Sequence, residues 1–85
     1  MNTFAINWSN EMIASGFRHS TGPYGENIAW HSQTSMSSTQ AATHFNQSWA
    51  GSPGHYANMT NDQYTHVGIG LVRHETGWWA THVFR

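Results

Sequence analysis

Two short segments of this chain hold the residue types that can do chemistry. Arg18-His19-Ser20-Thr21-Gly22-Pro23-Tyr24-Gly25-Glu26-Asn27-Ile28-Ala29-Trp30 sets His19 seven residues before Glu26, one of only four acidic residues in the protein. Pro53-Gly54-His55-Tyr56-Ala57-Asn58-Met59 sets a second histidine among glycine and aromatic residues. Imidazole is the commonest protein ligand for zinc, and a site with few protein ligands keeps positions open for water or substrate. His19 and His55 are therefore the candidates for a shared metal site. Their 36-residue separation is no local metal motif, so the residues alone favour loop histidines hydrogen-bonded to backbone. Glu26 opens an apolar strand, and a partly buried carboxylate stays ionised only if hydrogen-bonded or paired. It can orient a histidine, act as a general base on bound water, or hold the loop through backbone N–H groups.

The other five histidines carry less. His44 falls on the polar side of a helix, His66 and His82 on strands, His31 at a strand end and His74 at a hairpin. Each is read as a solvated or hydrogen-bonded residue. There is no Gly-x-Ser-x-Gly elbow, no His-Glu-x-x-His helix and no phosphate-cradling loop.

Those residues need a scaffold, and the composition limits what it can be. Eighty-five residues suit one domain over 1–85, at the small end of what a single core can stabilise. The chain has no cysteine, so it has neither a disulfide staple nor a thiolate ligand. Stability must come from packing, for which five Trp, four Phe and three Tyr supply the apolar area. With three arginines, no lysine and a net charge of -1, nucleic acid and anionic membrane surfaces are not expected partners. No stretch approaches the roughly 18 apolar residues of a membrane span, and residues 1–17 lack the pattern of a signal peptide. The low charge, with Ser, Thr, Asn and Gln as the polar surface, is common in secreted proteins.

The elements follow from periodicity. Phe4, Trp8 and Met12, with Ala5 and Ile13 beside them, form a helical stripe, and Gly16 stands where a left-handed cap falls. Residues 17–25 form a loop, and Asn27 to Ser32 suits a short strand. Ser37-Ser38-Thr39-Gln40 has capping-box spacing ahead of a helical face of Ala41, Ala42, Phe45, Ser48 and Trp49. Ser52-Pro53 reads as an N-cap followed by proline at the first helical position, with a short helix to about Met59. Val67, Ile69 and Leu71 alternate with Gly68 and Gly70, a strand whose thin face lets another element approach closely. Glu75-Thr76-Gly77 connects it to a strand over Trp78–Phe84. The five tryptophans are expected in the core, with Trp78 and Trp79 facing opposite sides. The order of helix, strand, helix, short helix, strand and strand predicts an α+β fold around a small antiparallel sheet.

These residues resemble the CAP superfamily, the SCP-like group of cysteine-rich secretory proteins, antigen 5 and pathogenesis-related proteins. His19-Ser20 followed by Tyr24-Gly25-Glu26-Asn27-Ile28-Ala29 resembles its His-Ser loop and Gly-Glu-Asn-Ile signature. Trp49 to Met59 resembles the bacterial form of its Gly-His-Tyr motif, and Val67-Gly68-Ile69-Gly70 with Trp78–Phe84 its C-terminal hairpin. The resemblance implies an α-β-α sandwich with an about three-stranded sheet. It also implies a central cleft where His19 and His55 hold a divalent metal such as zinc, with Glu26, Ser52 and Tyr56 behind them. Two departures accompany it. Ser52 stands where the family's second cleft acid falls, and the family's first helix with its His-Asn-x-x-Arg motif is missing, so the chain reads as an N-terminally shortened, cysteine-free member of bacterial type.

The family implies a secreted binding module whose cleft takes a metal and whose apolar groove takes a lipid- or sterol-like ligand. One alternative is a metal-dependent hydrolase in which Glu26 activates water; the other is a structural interaction domain. The apolar face expected beneath the missing helix would be an association site, covered by another partner or by a second copy as a homodimer.

Overall fold

The computed structural model describes all 85 residues, as three helices and one three-stranded antiparallel sheet: α1 (Asn2–Ser15), β1 (Gly25–His31), α2 (Ser38–Ala50), α3 (Pro53–Met59), β2 (Val67–His74) and β3 (Gly77–Phe84). The fold is α+β. The sheet order is β1-β3-β2, which puts β3 in the centre and buries all eight of its residues. Ile28 pairs with Thr81 on one side of β3, and Gly70 pairs with Thr81 on the other. Directly paired residues share a face of the sheet, so α1 covers one face while α2 and α3 lie on the other.

On the second face, Ala41, Phe45 and Trp49 of α2 bury themselves against Trp78 and Ala80 of β3. The helix starts as its sequence signals: the Ser37 hydroxyl accepts from Gln40 N at 3.1 Å, and Gln40 Oε1 accepts from Ser37 N at 2.9 Å. Across the sheet, Met12 of α1 packs with Ile28 and Trp79. Trp78 and Trp79 thus face opposite layers, and helices on both faces let both rings be buried.

The inward stripe of α1 is narrower than the aromatic periodicity predicts. Its buried residues are Ala5, Ser9 and Met12, while Phe4 and Trp8 flank them. The reason lies in β2. A Cβ at Gly70 would stand 2.3 Å from the Ala5 carbonyl carbon, and one at Gly68 2.5 Å from that of Met1. The helix backbone rests on the glycine face, so only small side chains fit between the two. Within this contact, Ser9 Oγ meets Thr81 Oγ1 at 2.8 Å and donates to the Gly70 carbonyl at 3.2 Å. Asn2 Oδ1 accepts from Ile69 N at 2.9 Å and ties the helix start to the open edge of β2.

Three expectations change. Trp30 is not core: its ring is 47% exposed and leans on Trp79 at 5.6 Å, with Nε1 donating to the Thr76 carbonyl. Gly16 has a positive φ of 114° with ψ at 157°, an extended exit rather than the left-handed helical cap. His66 lies just before β2, where its backbone pairs with Arg85 through bonds of 2.9 and 3.0 Å. No helix is long and apolar enough to cross a membrane.

Candidate functional site

Consecutive side chains of a strand point to opposite faces, and the second and third residues of β1 use that alternation to hold two separate segments. Glu26 holds the loop leaving α1. Its Oε1 accepts from the Ser20 backbone N–H at 2.8 Å and lies 2.8 Å from His19 Nδ1; its Oε2 accepts from the Ser20 hydroxyl. Ser20 Oγ in turn accepts from Gly22 N at 3.2 Å, which folds the loop back on itself. The Glu26 side chain is only 6% exposed, whereas that of His19 is 60% exposed. Burial of the carboxylate is therefore offset by three donors, one of them a ring nitrogen on the surface.

Asn27 holds α3 on the other side. It is fully buried, and its Nδ2 donates to the His55 carbonyl at 3.2 Å. Asn58, one turn further along α3, donates to Asn27 Oδ1 at 3.0 Å and to the Glu26 carbonyl at 3.3 Å. A carboxamide carries both donors and acceptors, so this pair satisfies itself while fixing helix to strand.

Ser52 is the N-cap residue of α3, yet its hydroxyl makes no capping bond to the helix backbone. It meets His55 Nδ1 at 2.9 Å instead. The helix start relies on proline at its first position, which has no N–H to satisfy. Both candidate histidines thus have Nδ1 engaged by a side-chain oxygen, Glu26 for His19 and Ser52 for His55. Tyr56 is half-exposed with no hydrogen bond from its hydroxyl, so it does not brace either histidine.

His19, Glu26 and His55 line none of the four surface cavities. No three His, Asp or Glu side chains converge as a metal-holding group either. A metal here would rest on two protein ligands and otherwise on water or an external ligand.

A profile of the cysteine-rich secretory protein family, CAP, matches residues 1–84. The chain belongs to the CAP family. No curated protein and no solved structure matches it. In this CAP domain the signature residues Gly25, Glu26, Asn27 and Ile28 are the first turn-to-strand stretch of β1. Their types follow from their contacts. Gly25 leaves room for Tyr64, whose hydroxyl would stand 2.2 Å from a Cβ there. Glu26 and Asn27 clamp two segments, and Ile28 fills the core under α1.

The sequence left two participants unassigned. Asn58 carries no local signal beyond a turn-favouring residue near a helix end. His82, expected to be solvated or hydrogen-bonded, is largely buried: it is 9% exposed, its ring lies 4.2 Å from that of Trp49, and Nδ1 has no partner. Burial lowers its pKa from 6.5 to about 4. By contrast, His31 and His74 behave as expected, with Nδ1 accepting from the backbone of Gln33 and Thr76.

Proposed function

We propose that this CAP domain is an extracellular binding module in which His19 and His55 take a divalent metal, zinc by the chemistry of the ligands. One observation carries the reading. Each imidazole has its Nδ1 on a side-chain oxygen, at 2.8 Å for His19 and 2.9 Å for His55. With Nδ1–H donating, the lone pair sits on Nε2, the arrangement that orients metal-ligating histidines. Glu26 and Ser52 fix ring direction, while Asn27 and Asn58 fix the backbones that carry them. Zinc would supply Lewis acidity and a positive charge for an anionic or carbonyl ligand.

The same geometry favours binding over hydrolysis. Glu26 accepts from three donors with both of its oxygens, so it holds the loop and has little freedom to take a proton from water. Position 52 offers a hydroxyl on His55 rather than a second carboxylate.

Calorimetry with zinc at pH 7.5 tests the metal reading. Wild type is expected to bind one zinc per chain, His19→Ala and His55→Ala to weaken uptake at least tenfold, and the double variant to abolish it. Uptake should also fall in acid, because protonated imidazole cannot ligate. Absence of zinc uptake, or a double variant that binds like wild type, overturns it.

A further inference from the structure

Residues 60–66 run from the end of α3 across the end of the sheet to the start of β2. Tyr64 in this connector stacks on Phe84 of β3, with ring centroids 5.6 Å apart and planes 24° from parallel. Beside it is a cavity of about 300 Å³, walled on its apolar side by Met59, Tyr64, Val67 and Phe84 and on its polar side by Asn58, Asn61, Thr65, His66 and His82. That volume stands at the lower edge of the ~300–1,000 Å³ typical of small-molecule sites. No lysine, arginine, aspartate or glutamate lines it.

His82 is the unusual member. It is nine-tenths buried, it lines both this cavity and a smaller one of about 80 Å³ beside Phe45 and Trp49, and its Nδ1 lacks any hydrogen-bond partner. A buried polar atom without a partner lowers stability, and native structures keep few of them. Half a turn of an imidazole exchanges Nδ1 with Cδ2 in nearly the same volume, so a nitrogen can be offered to the larger cavity. Desolvation keeps the His82 ring neutral at physiological pH, and a neutral ring in a wall without lysine or arginine gives little attraction to an anion.

We infer that this cavity binds a small uncharged molecule with an apolar ring and one hydroxyl, His82 being its polar anchor and the Tyr64–Phe84 stack its apolar wall. A hydroxyl both donates and accepts, so it can pair with either nitrogen state of a neutral imidazole. The stacked rings suit an aromatic or cyclic body over a flexible chain, since ring faces and edges pair favourably. This rests on the binding-module reading for its apolar ligand only. Asn58 lines the cavity and bonds to Glu26 and Asn27, so it joins the cavity to the histidine-bearing segments.

The test uses three probes of one shape, 4-ethylphenol, ethylbenzene and 4-ethylbenzoate, titrated at pH 7.5 into the full chain and followed by amide NMR. Saturable shifts at residues 58–67 and 82–84 are expected with 4-ethylphenol. Ethylbenzene should bind about fivefold more weakly for lack of one hydrogen bond, and the benzoate more weakly still. His82→Phe, which keeps a ring and removes both nitrogens, should bring 4-ethylphenol down to the level of ethylbenzene. In wild type the His82 ring nitrogens should shift with 4-ethylphenol, a reading independent of whether the variant folds. Scattered non-saturating shifts, equal binding of the benzoate, unmoved His82 nitrogens, or a His82→Phe protein that keeps its preference for the phenol overturn the inference. Repeating the titration with zinc present separates the two sites. Phenol binding without zinc uptake rejects the metal cleft alone, and zinc uptake without phenol binding rejects this cavity alone.

Discussion

Glu26 is the residue on which most depends, because a buried carboxylate with three donors is both a structural tether and the orienter of His19. Hydrogen bonds to a charged group contribute about 1.5–3 kcal/mol each when broken one at a time. Glu26→Gln preserves shape but must turn an amide N–H toward one of the present donors. Thermal unfolding should therefore report a loss of about 2 kcal/mol, and calorimetry a zinc affinity at least tenfold weaker, the usual consequence of disturbing the partner of a ligating histidine. An unchanged melting temperature together with unchanged zinc uptake would show that Glu26 neither braces the loop nor directs the ring. The neighbouring Asn27 illustrates a different dependence. Its type is dictated by position rather than charge, since it is fully buried opposite α3 and must donate to one partner while accepting from another.

At the scale of elements, the decisive contact is α1 on β2. The helix has neither a side-chain N-cap bond nor an acidic first turn, so it is held mainly by packing. Gly68 and Gly70 permit backbone to rest on backbone, and Ser9 satisfies a carbonyl and a hydroxyl inside the contact. A methyl at Gly70 meets backbone atoms that cannot rotate away. Gly70→Ala is expected to cost about 2–3 kcal/mol, which in a domain this small lowers the melting temperature by roughly 10 °C or more. Gly54→Ala is the matched control, because a Cβ there meets nothing within 4 Å in a helical residue. It should be neutral or stabilising by up to about 1 kcal/mol. Equal losses from the two substitutions would mean that the α1–β2 approach is looser than described.

For the whole molecule, the layers are unequal. α1 covers one face except at Trp30 of the outer strand, whereas on the other α2 and α3 leave Val67 and Ile69 of β2 half-exposed. His82 lies at that boundary. Its folded pKa of about 4 is below the ordinary value of 6.5, so between these limits the unfolded chain binds more protons than the folded one. Stability from this residue is complete above about pH 6.5 and is lost as the pH falls toward 4, an effect on the order of 2 kcal/mol. Denaturant unfolding of wild type and His82→Phe across pH 4–7.5 isolates it from the other titrating groups. The difference between the two proteins should move in favour of the variant as the pH drops through that window, and parallel curves would show that His82 is not held neutral by burial.

Local signals in the sequence were enough for the elements and for the family. The capping box at Ser37 and the proline at 53 act through neighbours a few residues away, while the glycine alternation of β2 and the Gly-Glu-Asn-Ile stretch are short patterns visible in the sequence whatever they contact. They also singled out His19 and Glu26, which the structure joins at 2.8 Å. Tertiary structure alone decided what those side chains face. That Ser52 serves His55 instead of its own helix, that Asn58 reaches across to β1, and that His82 is buried without a partner all depend on contacts between segments distant in sequence. Trp30 makes the same point in reverse: an apolar strand position gives no sign of whether anything covers it, and on this outer strand nothing does so fully. Periodicity reports which face a residue occupies, while burial and pairing depend on what the rest of the chain lays against that face.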